Sequence, residues 1–216
     1  MNRLFLSCLL GVASLTSLPA AALVTGTLTE YIALGMTGGT IGSARFSSFM
    51  LLPLQTGAEE LSPDTIIITP SSSGSVLSLE FTVNDSAVDT DLFESRFSYR
   101  VSDTPIRSAM LSIAGATTAG GSSVSVVSDL IIATQPDRSL VVLLAGPDNI
   151  PDDSVDFPST TSLLVSTDIT LDGGSSGTTG MAALATTTSR FVIPEPASLA
   201  LFAPLAGLLA LRRRRS

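Results

Sequence analysis

The sequence predicts an all-β protein: an antiparallel β-sandwich body of about 8–10 strands, flanked by an N-terminal signal helix and a short C-terminal transmembrane helix. Three observations carry that expectation. Apolar and polar residues alternate with period two through the middle of the chain. Clusters of Gly, Pro, Asn and Asp interrupt the alternation at spacings of roughly 8–12 residues. Helical periodicity is nearly absent except at the two ends, where the apolar runs lie.

Residues 1–22 read as a secretory signal. Arg3 supplies the charge that precedes the apolar stretch Leu4 to Leu18, and Pro19 breaks that stretch. Ala20 and Ala22 fit the two small pockets of a signal peptidase, so cleavage is expected after Ala22, following threading through the Sec translocon. A lipoprotein signal built on Cys8 is set aside. Only about four apolar residues precede that cysteine, against the ~7–15 of a signal core.

Residues 23–190 form the expected extracytoplasmic domain. Its clearest strand is Val76 to Asn84, where Leu77, Leu79, Phe81 and Val83 alternate with Ser78, Glu80, Thr82 and Asn84. One apolar and one polar face means a half-buried antiparallel strand. Phe97, Tyr99 and Val101 repeat the pattern. Ile67 and its neighbours, Leu111 with Ile113, Val124 to Ile132, Leu140 to Leu144, Leu163 to Val165, and Ile169 with Leu171 supply further strands. Turn-forming residues fall at Pro70 to Gly74, Asn84 to Asp91, Gly120-Gly121, Pro136-Asp137, Pro147 to Pro158 and Asp172 to Gly180.

Composition removes most chemistry. The chain has no His, Trp or Lys, and Cys8 is its one cysteine. A serine nucleophile therefore lacks both an imidazole and a lysine base, and a thiol nucleophile goes with the leader. All-carboxylate zinc or copper sites are poor matches to those metals. Paired carboxylates, as in glycoside hydrolysis, or an oxygen-ligated Ca²⁺ or Mg²⁺ remain. Asp85, Asp89, Asp91 and Glu94 form one acidic loop; Asp148, Asp152, Asp153 and Asp156 form another. Both are weak calcium candidates beside the plainer reading, in which Asp serves turn geometry. Arg96 and Arg100 read as ion-pair partners of the first loop. Between Leu23 and Ile193 six arginines face eighteen acids, a net −12, which repels phosphate backbones and argues against nucleic-acid binding. No cofactor is expected.

Residues 191–216 are the most specific segment. Pro194, Glu195 and Pro196 precede the apolar run Ala197 to Leu211, which is followed by Arg212, Arg213, Arg214 and Arg215. The prolines hold the motif extended and exposed to an enzyme. Fifteen residues make a helix of ~22 Å, short of the ~30 Å bilayer core, a deficit that snorkelling arginines and local thinning can close. The arginines favour the cytoplasmic side, which places the body outside.

Pro194-Glu195-Pro196, the apolar run and the arginine cluster together resemble the PEP-CTERM sorting signal of Gram-negative bacteria. The resemblance implies an exosortase, an integral membrane cysteine transpeptidase, as partner, and a place in the envelope or exopolysaccharide matrix. It covers about the last 25 residues. The short span and its internal Pro204 depart from a firm anchor. The expected role is therefore that of an exported envelope or matrix protein with a structural or interaction function and no catalysis. The membrane anchors it until processing. A carbohydrate-binding module is the alternative, although Tyr31 and Tyr99 are the chain's sole tyrosines and stacking platforms are scarce. A carboxylate-based glycoside hydrolase is the further alternative.

Overall fold

Period-two alternation becomes alternating burial. In Val76–Val88, the side chains of Leu77, Leu79, Phe81 and Val83 are buried while the intervening residues face outward. The computed structural model describes residues 20–175 and 179–194. The expected signal helix, the apolar run Ala197 to Leu211 and the four terminal arginines lie outside the described residues.

Thirteen strands join in one sheet. In chain order they are β1 (Gly26–Thr27), β2 (Gly39–Ile41), β3 (Ala44–Leu51), β4 (Glu59–Glu60), β5 (Ile67–Ser73), β6 (Val76–Val88), β7 (Leu92–Ala114), β8 (Thr117–Ala119), β9 (Ser123–Ile131), β10 (Arg138–Ala145), β11 (Asp148–Ile150), β12 (Asp152–Asp172) and β13 (Met181–Val192). The main order is β1-β5-β6-β13-β7-β12-β9-β10-β11, with β2 and β3 attached through β7. Named pairs are antiparallel except β4 with β7. The body is thus all-β and antiparallel, as expected.

β7 and β12 organise the sheet. They pair along nearly their whole lengths, from Leu92↔Asp172 to Ser112↔Asp152, with register shifts between Asp156 and Ser162. On its other edge β7 changes partner, from β3 at Phe97 to Ser102 to β13 at Ser108 to Ala114. Asp103, with φ of 68°, and Pro105 sit between the two stretches. A left-handed residue followed by a proline bends a strand without ending it. The sequence reading had divided each of these strands into two short ones.

The two partner sets meet in a single core. Phe81 of β6 lies 5.1 Å from Phe97 of β7, and Phe46 of β3 lies 5.9 Å from Phe191 of β13 (ring centroids), though neither pair of strands is hydrogen-bonded. Tyr99 stands among Phe46, Phe49, Phe81, Phe97 and Phe191. Burial pushes its phenol well above the ordinary range, against a small opposing effect of the neighbouring Ser189 hydroxyl.

A helix that periodicity did not indicate, α1 (Leu28–Ala33), crosses one end. Its six residues are too few to show a 3.6-residue pattern. A capping box defines it instead: Thr27 Oγ1 accepts the Glu30 N–H, and Glu30 Oε2 accepts the Thr27 N–H.

Candidate functional site

The sequence motif with the greatest specificity begins where the described residues end. β13 carries strand structure to Val192, two residues past the boundary at 190 drawn from sequence. Ile193 still donates its N–H to Ser75 O at 2.8 Å and packs against the core. Pro194 follows at once and cannot donate to a ladder. There is no spacer between the last hydrogen-bonded residue and the motif. Glu195, Pro196 and the residues beyond lie outside the described region.

Near the other expected cut, Ala21 O accepts the Thr40 N–H at 2.9 Å and Leu23 N–H donates to Thr40 O at 2.9 Å. Ala20 and Ala22 thus flank a residue bonded to the outer edge of β2. A cavity of about 260 Å³ lies beside this segment, lined by Leu23, Val24, Tyr31, Leu34 and Gly39 among others. The Tyr31 hydroxyl donates to Val24 O at 2.9 Å, and burial pushes its pKa up to about 12.

The acidic loops do not converge. Among the described residues, no three His, Cys, Asp or Glu side chains could hold a metal ion together. The carboxylates of Asp85 and Asp153 serve the backbone. Asp85 Oδ1 accepts the Ser86 N–H at 2.7 Å. Asp153 accepts the N–H groups of Val141 and Ser154, satisfying the free edge of β10. Asp89 sits at φ of 52°, a left-handed conformation that Asp tolerates well, and its N–H bonds to Gly180 O. Asp91 O accepts the Gly173 N–H. Asp148 and Asp152 lie at exposed positions of β11 and β12. Asp89 and Asp91 thus fit the turn-geometry reading, whereas Asp85, Asp148, Asp152 and Asp153 lie in strands and not in loops.

A buried cluster escaped sequence reasoning in part. Glu94 is 1% exposed. Its Oε2 accepts the Gln55 N–H at 2.6 Å, and Arg96 Nη1 donates to Pro53 O at 2.8 Å, so the segment after β3 is tied down over both. Arg96 Nε lies 3.2 Å from Asp168 and 3.6 Å from Glu94. Burial, the Glu94 charge and a hydrogen bond with Glu94 raise the Asp168 pKa, while the Thr170 hydroxyl and Arg96 work the other way. Arg96 is indeed an ion-pair partner, but Arg100 donates to Ser162 Oγ. The available signal was the strand pattern. Glu94 and Arg96 share one face of β7, while Asp168 is brought opposite Arg96 only by register.

The Glu94 and Asp168 carboxylates share the Nε of Arg96, at 3.6 and 3.2 Å. Aromatic rings offer no sugar platform among the described residues. Every described Phe and Tyr is buried except Phe93, which is partly buried and packed on the core.

No family model and no curated protein matches the sequence. Among solved structures, the chain is similar to TmCBM61 in complex with beta-1,4-galactotriose. The identity is 11%, over 74% of this chain and 96% of that one, with a TM-score of 0.26. It is also similar to the enzymatically active domain of bacteriophage CBA120 tailspike protein 4. There the identity is 10%, over 69% of this chain and 19% of that one, with a TM-score of 0.24. At such scores neither likeness bears on what this chain binds.

Proposed function

We propose that the chain is an exported envelope or exopolysaccharide-matrix protein. In this reading Ala197 to Leu211 holds it at the membrane, and an exosortase-type transpeptidase sorts it at Pro194-Glu195-Pro196. The body is a non-catalytic β-sandwich with a structural or interaction role; the ring contacts between strands that do not pair support that architecture. One observation carries the proposal. The proline motif, the apolar run and the arginine cluster occur in that order, beginning two residues after Val192, where the last described strand ends. Replacing Pro194, Glu195 and Pro196 with alanine leaves export intact and blocks tail removal, so the unprocessed chain accumulates in membranes. Normal processing of that variant contradicts the proposal.

Carbohydrate binding is the second reading. It would rest on hydroxyls instead of stacked rings, because the outward face of β6 and β13 carries Ser78, Thr82, Thr186 and Thr188. Binding of a polysaccharide to the full chain, measured by pull-down, would favour it.

A further inference from the structure

β13 is an internal strand, and the proline motif begins at its held end. The sheet order runs β6-β13-β7, and Val192 pairs with Val76 of β6 and with Ser108 of β7. Releasing this end breaks contacts on two sides, unlike the fraying of an edge strand or a free terminus. The grip extends one residue further. Ile193 donates its N–H to Ser75 O at 2.8 Å, in the turn that joins β5 to β6, and packs on the core. Pro194, the first residue of the motif, is itself partly buried.

An enzyme that reads a peptide in extended form takes up its backbone N–H and C=O groups. Val192 and Ile193 already use theirs within the body. The bulk of the body also stands in the way. Pro194, Glu195 and Pro196 reach at most ~11 Å when fully extended, about the spacing of two packed sheets. An active site closing around the motif would meet the strands on either side of β13.

We propose that the fold masks its own sorting motif. With the end of β13 docked, the motif is closed to the transpeptidase. Tail removal proceeds from a state in which Val192 and Ile193 have come away from β6 and β7. This inference rests on the sorting reading above and adds its regulation: the rate of tail removal follows the population of the opened end.

A cross-strand disulfide tests the opening. Because Ile193 bonds to Ser75, the neighbouring pair Val192↔Val76 is of the non-hydrogen-bonded kind. Such pairs have Cα atoms ~4.5 Å apart, within disulfide range. Cys8 lies in the leader, so Val76→Cys with Val192→Cys gives the body one pair of thiols, which closes in an oxidising compartment. Tail removal is followed in the full chain by pulse-chase on non-reducing gels. The disulfide form should be cut at least about tenfold more slowly, the scale of an opening that costs one or two net hydrogen bonds and is now forbidden. Reductant should return it to the rate of the wild type in the same reductant. Ten Gly/Ser residues inserted between Ile193 and Pro194 should speed the wild type about tenfold and restore the cross-linked chain. A melting temperature at or above the wild-type value shows that the variant folds. A cross-linked chain cut at the wild-type rate, or one that the spacer does not restore, overturns the inference, as does a spacer without effect on the wild type. Processing that survives alanine at Pro194, Glu195 and Pro196 instead overturns the sorting reading beneath it.

Discussion

The two ends of the β6–β13 pair differ in how they are built. At the Val192 end, backbone turns are open: a Cβ added to Gly74 meets nothing within 4 Å, and the strand continues directly into the proline motif. At the Met181 end, backbones are clasped. Asp89 N–H bonds to Gly180 O, Gly173 N–H bonds to Asp91 O, and a Cβ on Gly180 would strike Gly173 O. Asp85, Asp89 and Asp91 lie at this close end, yet their carboxylates form no metal cluster among the described residues. The contrast teaches that the close-approach backbone sits at the Met181 end, while the sequence continuing from the open end carries Pro194-Glu195-Pro196.

The comparison can be broken most severely at Arg96. Arg96→Met leaves Glu94 and Asp168 without their shared cation in a site where Glu94 is buried. It should cost about 3 kcal/mol at neutral pH by denaturant unfolding. Acid should relieve the cost, because a proton can then bridge the carboxyls. An equal loss at all pH values would mean that packing, not charge, is at stake.

Next in size is the glycine contrast. Gly180→Ala should lose about 2 kcal/mol through overpacking. Gly74→Ala, strained only by its φ of 58°, should lose about 1 kcal/mol. Equal effects would erase the distinction between a clasped and an open end.

A smaller effect concerns pH. Asp168 is raised above its unfolded value, so the folded state holds its proton more tightly than the unfolded chain. Its contribution to stability is complete below the ordinary carboxylate pKa and fades as pH rises through the raised value. Asp168→Asn should remove that slope from a stability–pH curve. A slope that persists assigns it to other groups. The smallest effect is expected from calcium. Millimolar CaCl₂ should leave the melting temperature unchanged, and Asp89→Asn should shift stability by no more than ~0.5 kcal/mol.

Much of the sheet was legible in the sequence because its inward residues are large and apolar, as in Val76 to Val83. β13 was not. After a register shift between Leu184 and Thr186, its inward set includes Thr187 and Ser189, both buried, so the polar pattern conceals a central strand. β12 was cut short because Pro147 to Pro158 read as turn residues, although the strand begins at Asp152 and runs through Pro158; β7 runs unbroken through Asp103 and Pro105, between the segments read as two strands. The cluster of Glu94, Arg96 and Asp168 depends on pairing between distant segments, which no local window contains. Of the acidic residues read as loops, Asp89 and Asp91 lie in a turn, while Asp85, Glu94, Asp148, Asp152, Asp153 and Asp156 lie in strands. Their carboxylates could be located but not brought together, since convergence is a property of the fold.

The most direct test of the account is peptide mapping with intact-mass measurement of the protein recovered outside the cell. The account predicts a chain that begins at Leu23 and retains Phe191 to Ile193, with Ala197 to Ser216 removed. Recovery of an extracellular chain that still carries Arg212 to Arg215 would contradict it.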